Sequence, residues 1–169
     1  NILLPIIAVR LADFAGTGQF TREYIITTYD FKSLKFTSGL GWGKYVGESS
    51  IKNPLSIFSE EFTKREKVDY GKGGSLSSSI WFKGPVTSLI GLEYKLKNIK
   101  NTTIKIERNP YDYFKFSCCG EGLSEESRLV RLKESDINFG LSYKYKDFGN
   151  VDLSYIKGNS WNISFSIGF

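Results

Sequence analysis

Glu93, Lys95, Lys105 and Glu107 are the residues of this 169-residue chain whose types and spacing come nearest to a working site. They alternate with apolar residues in two successive segments. In extended chain that spacing puts their side chains on one polar face, with Arg10 as a candidate fifth member. Two carboxylates set among cations can do two kinds of chemistry. A Glu pair at a fixed separation beside a cleft hydrolyses glycosides. A mixed-sign cluster binds hydroxyl-rich ligands, or simply fills a narrow space with mutually satisfied charges. Nothing in the spacing distinguishes Glu93 and Glu107 as acid and base, so a polar cluster is expected and an enzyme is not.

Other chemistries are excluded by composition. There is no His, which removes His-based acid–base catalysis and His-ligated metals. The two cysteines, Cys118 and Cys119, are adjacent, so neither a disulfide framework nor a four-Cys zinc site is available. No metal and no cofactor is expected. Gly39, Gly41 and Gly43 alternate beside Trp42 inside an extended segment, whereas a phosphate loop joins a strand to a helix. They read as points of close backbone approach. Lys64-Arg65-Glu66-Lys67 is a mixed-sign run that reads as solvated loop. The net charge of +5 comes with interleaved acids and no basic stripe, so nucleic acid is not an expected partner; anionic lipopolysaccharide or an acidic polysaccharide suits it better.

The elements that must position these residues are strands. From Ile137 to Tyr145 the odd positions are apolar and the even ones are Asn138, Gly140, Ser142 and Lys144. Period two means a strand with two unlike faces. The same pattern predicts eight strands at about 4–12, 20–31, 34–43, 79–96, 102–109, 137–146, 150–157 and 160–169, with Gly84-Pro85 bending or splitting the fourth. A tight turn is expected at Gly158-Asn159. A short helix is conceivable over Leu123–Glu134. Short connections fall on the side of both termini, and two long loops, 44–78 and 110–136, fall on the other.

Alternation alone leaves a soluble barrel or sandwich and a membrane barrel open. Four features favour the membrane. Charge collects in the two long loops, which hold about half of all charged residues. The polar face of the last three strands is mostly Gly, Ser and Asn, as a narrow lumen requires. Large aromatics near strand ends, Trp42, Tyr94 and Tyr145 among them, suit an interfacial girdle. Trp161, Ile163, Phe165, Ile167 and Phe169 form an apolar row ending on the last residue, like the C-terminal signal strand that outer-membrane proteins present to the barrel insertion machinery. No apolar window reaches 18 residues, so no spanning helix is expected. A chain that opens on Asn1 without Met reads as processed, or as a portion of a longer protein.

Several phrases then align with a known family. Pro5-Ile6-Ile7-Ala8-Val9-Arg10-Leu11-Ala12-Asp13-Phe14-Ala15-Gly16-Thr17-Gly18 resembles its opening strand and Asp-x-x-Gly-Thr-Gly. Glu23-Tyr24, Gly39-Leu40-Gly41-Trp42-Gly43, Asn53-Pro54-Leu55, Trp81-Phe82-Lys83-Gly84-Pro85 and Gly91-Leu92-Glu93-Tyr94 resemble its later motifs, in order. Phe139-Gly140-Leu141-Ser142-Tyr143 and Tyr155-Ile156-Lys157-Gly158-Asn159 resemble its closing strands. The chain thus resembles the YjbH-type outer-membrane family of exopolysaccharide and group 4 capsule biosynthesis, whose members are usually much longer. The resemblance implies one domain over 1–169: an all-β, antiparallel up-and-down transmembrane β-barrel of eight strands, or as many as ten, in the bacterial outer membrane. It implies a non-enzymatic part in polysaccharide assembly or export, with outer-membrane lipid, the polysaccharide and other capsule-export proteins as partners. It supplies no catalytic residues, and loop 110–136 has no counterpart in it. Two alternatives remain: a soluble small-ligand-binding barrel of the lipocalin kind, and a structural outer-membrane anchor with functional loops.

Overall fold

The computed structural model describes residues 4–14, 21–43, 46, 50–66, 79–111, 133–146 and 148–168. Its strands are β1 (Ile6–Ala12), β2 (Arg22–Phe31), β3 (Leu34–Gly43), β4 (Thr87–Lys95), β5 (Thr102–Arg108), β6 (Ile137–Tyr145), β7 (Gly149–Ile156) and β8 (Ser160–Ile167). They form one antiparallel meander in chain order, β1 to β8. The only helical pieces among the described residues are two 3-10 turns, Pro54–Ile57 and Glu60–Thr63. None is long and apolar enough to cross a membrane.

Every strand pair keeps one register from end to end, with no bulge. A side chain's parity therefore fixes its face across the whole sheet. One face carries Val9, Ile25, Phe36, Leu92, Ile104, Leu141, Leu153 and Ile163. The other carries Arg10, Thr37, Glu93, Lys105, Asn138, Asp152 and Asn162. The polar face is the concave one: two hollows, of about 400 and 300 Å³, open onto it.

The sheet is not closed. β1 and β8 are its two edges, so eight strands in one up-and-down sheet stand where a barrel was expected. The connections sort as the sequence implies. The turns after β2, β4 and β6 are short and lie on the side of the termini, while those after β3 and β5 are long and lie opposite.

The fourth strand starts later than its alternation suggests, at Thr87. Gly84 (φ +84°) and Phe82 (φ +56°) break the extended backbone, and Pro85 has no N–H to give a ladder. Val86 makes only an isolated bridge to Ile51. In the β7–β8 turn the positive φ values fall on Lys157 (+62°) and Gly158 (+82°), one residue earlier than expected, closed by the Asn159 N–H donating to the Ile156 carbonyl. Cys118-Cys119, the segment 123–132 and Phe169 lie outside the described residues.

The glycine row of β3 does make room for close approach. A Cβ on Gly39 would lie 2.3 Å from the Ile25 carbonyl oxygen, and one on Gly41 would lie 2.3 Å from Tyr111 Oη. A Cβ on Gly91 meets only Thr37, at an ordinary 3.6 Å. Gly39→Ala is therefore expected to lose about 1–3 kcal/mol through forced backbone shifts. Gly91→Ala is expected to stay within about 0.5 kcal/mol. Denaturant midpoints of the two variants, measured side by side, check this.

Candidate functional site

The polar face gathers most of the expected cluster. Glu93 lies directly opposite Lys105 on β5 and Lys35 on β3, and Lys35 in turn lies opposite Asp30 on β2. Charges of alternating sign thus run across four adjacent strands in one row, the favourable order for cross-strand neighbours. Glu107 lies opposite Gly91 and accepts a 2.9 Å bond from the Asn138 amide. Lys105 reaches Asp152 Oδ1 at 3.8 Å, passing over Gly140. Asp152 also accepts from Ser142 Oγ at 2.6 Å and from the Asn150 amide. Lys95, opposite Thr103, marks the end of the cluster nearest the short turns.

Arg10 is not part of it. It sits three strands from Glu93 and donates to Tyr24 Oη at 3.3 Å. Asp30, Lys35 and Asp152 join the cluster beyond the residues expected from the sequence. Their signal was parity: each has the period-two position of the residues already singled out.

A second assembly stands at the long-loop end, on the apolar face. Glu23 is completely buried, at 0% exposure, although Ile25 on its own strand and Leu11 opposite it on β1 are exposed on that face. Arg65 clamps it in a bidentate fork, Nη1 to Oε2 and Nη2 to Oε1, both 2.8 Å. The Phe82 N–H adds a third bond to the carboxylate at 3.1 Å, and Arg65 Nη1 also donates to the Ile80 carbonyl at 2.8 Å. Paired and hydrogen-bonded on this scale, a buried charge is tolerated; unpaired, it is not.

The loop after β3 is folded around this pair. Asn53 accepts from the Leu55 N–H, and its amide donates to the carbonyls of Phe62 (2.9 Å) and Phe82 (2.7 Å). The Gly84 N–H donates to the Phe62 carbonyl at 2.9 Å, and a Cβ on Gly84 would press on Arg65. Trp42, opposite Glu23 on β3, is 1% exposed and packs edge-on against Phe82, with ring centroids 5.2 Å apart. Together with Ile80, Val86 and Tyr111 it makes up the buried apolar core of the described chain.

Two expectations change here. Trp42 is interior to the loop junction and cannot face a boundary as a girdle residue, whereas Tyr94 and Tyr145 are exposed on the apolar face. Arg65 is not solvated loop charge but the counter-ion of Glu23. No local pattern pointed to it, because its partner lies 42 residues away. Of the C-terminal row, Trp161, Ile163, Phe165 and Ile167 are all exposed on the apolar face of β8.

The arrangement defines a class first: a bulge-free antiparallel β-meander with an exposed apolar face, a concave polar face and a locked loop at one end. Glu23, Trp42, Asn53, Phe82 and Gly84, from phrases scattered in sequence, meet at that lock. The model of the YjbH family, described as "Exopolysaccharide biosynthesis protein YbjH", matches residues 1–169, and the chain belongs to that family. It is 32% identical over 160 residues to the protein called "Uncharacterized lipoprotein YjbH" of Escherichia coli (strain K12), a match covering 94% of this chain. The chain spans about one-fifth (21%) of the length of that relative. No solved structure matches it.

Arg65→Met leaves Glu23 buried without its counter-ion and is expected to cost about 3–5 kcal/mol. The double variant Glu23→Met, Arg65→Met is expected to cost clearly less than the sum of the two single changes. Unfolding midpoints for the four proteins of the cycle, with limited proteolysis of the 51–66 loop as a local readout, check the coupling.

Proposed function

We propose that this chain is part of an outer-membrane β-barrel that acts without catalysis in the assembly or export of an exopolysaccharide. Membership of an exopolysaccharide-biosynthesis family supplies the process. The observation that carries the barrel reading is the inversion of the sheet. Ile104, Ile106, Phe139, Leu141, Ile163 and Phe165 are all exposed on one face, while the charged and amide side chains gather on the concave face. A water-soluble protein rarely presents so extended an apolar surface. Lipid is the solvent that makes this order favourable, with a polar interior and a hydrophobic outer wall. The E. coli relative's name, a lipoprotein, agrees with a membrane setting.

A lipocalin-like carrier is the weaker reading, because it needs an apolar hollow. Both hollows here are lined with charge, Lys105, Glu107 and Asp152 in one and Arg22, Glu93, Glu107 and Arg108 in the other. The role as a structural anchor with functional loops draws on a different observation, the ion-paired loop at Glu23, which is held too firmly to act as a free lid. Eight strands alone would enclose a space that side chains fill, so a conduit would need strands from elsewhere in a longer protein or from a partner.

Refolding the full-length protein into lipid vesicles, followed by gel electrophoresis with and without heating, tests the reading. A heat-sensitive fast-migrating band that survives external protease is expected. Folding to the same state in plain buffer, with no gain from lipid, would overturn it.

A further inference from the structure

The larger hollow, about 400 Å³, lies on the polar face at the long-loop end, away from the Lys105–Asp152 contacts. Its volume lies in the range that accepts a small organic ligand. Its lining is of two kinds. Tyr24, Ile26 and Leu89 give it apolar patches, and Arg22, Glu93, Glu107, Arg108 and Asn109 give it hydrogen-bonding groups of both charge signs.

Its end wall is built by long-range contacts. Tyr111 is 7% exposed and donates to the Trp42 carbonyl at 3.1 Å. It stands there only because Gly41 has no Cβ, which would otherwise meet its hydroxyl at 2.3 Å. The Arg22 guanidinium lies 6.0 Å from the centre of the Tyr111 ring, a cation–π distance. Tyr24 is held by the Arg10 bond at 3.3 Å. The floor is left open at Gly91. The walls are thus fixed while the floor is empty, an arrangement a mere space-filling network does not need.

We propose that this hollow is a subsite for one neutral hexopyranose unit of a polysaccharide. A pyranose has an apolar face of C–H groups and a rim of hydroxyls. The former suits Tyr24, Ile26 and Leu89; the latter donate to carboxylates and accept from an amide. The lining is charge-balanced, Glu93 and Glu107 against Arg22 and Arg108, so a neutral sugar fits it without bringing in an unpaired charge. The inference rests on the barrel reading above, in which the polar face is the interior.

The test uses full-length protein folded in detergent micelles, with its heat-sensitive band checked on the same sample. Saturation-transfer NMR is recorded with neutral gluco- and galacto-oligosaccharides and, separately, with a polyuronate. Expected is transfer from aromatic protons to the neutral sugars and at least tenfold weaker binding of the polyuronate. Gly91→Val, which fills the floor with a good strand residue, and Tyr24→Ala should each weaken neutral-sugar binding at least tenfold. Ser166→Ala, on the same face at β8, should not. A folded band with no transfer, or with equal binding by Gly91→Val, overturns the subsite and leaves the barrel reading standing. Preferred binding of the polyuronate also overturns it. Absence of the folded band refutes the barrel reading, and the subsite falls with it.

Discussion

Seven antiparallel strand pairs hold their register without a single inserted residue. Since the side-chain period of a strand is two, one slip anywhere would move every later side chain to the opposite face. The order of the molecule depends on that not happening. It is why Glu93 meets Lys105, why Lys105 reaches Asp152, and why apolar side chains from Val9 on β1 to Ile163 on β8 share one face. The charge row and the apolar wall are two consequences of the same regularity.

Glu23 is where that regularity is overridden. Its parity assigns it to the apolar face, where an exposed carboxylate would cut the wall. The chain resolves this by folding a loop over it and bringing Arg65, the Phe82 N–H and the Trp42 ring to it. Removing a charge from water is costly, and attraction in the interior offsets the cost only when geometry is good and the remaining lone pairs are used. The bidentate fork and the backbone N–H meet both conditions. The loop is therefore folded because the strand demands it, and the buried core of the described chain sits at this junction rather than along the sheet.

Strands were the most legible part of the sequence, because period two is a local signal repeated at each one. The ends were legible where Gly or Asn marked a turn and misleading where alternation ran on past Pro85. Three things had no local signature. The Glu23–Arg65 pair joins distant segments. Trp42 looks the same in a string of letters whether its ring meets lipid, water or Phe82. Whether β1 meets β8 depends on cumulative tilt and stagger, which no single strand encodes. On the polar face, alternation made Lys105 legible, but not that its side chain reaches Asp152 two strands on.

The two bare edges, β1 and β8, bear on the order of events in assembly. Each carries a line of N–H and C=O groups with no ladder partner in this sheet. In water those groups are solvated at little cost; in hydrocarbon each unsatisfied one costs several kcal/mol. A half-finished sheet of this kind has no resting place inside a bilayer. On the barrel reading proposed above, entry and edge pairing are then one kinetic step, and whatever lowers the barrier to that step has to hold an edge strand while the seam is still open.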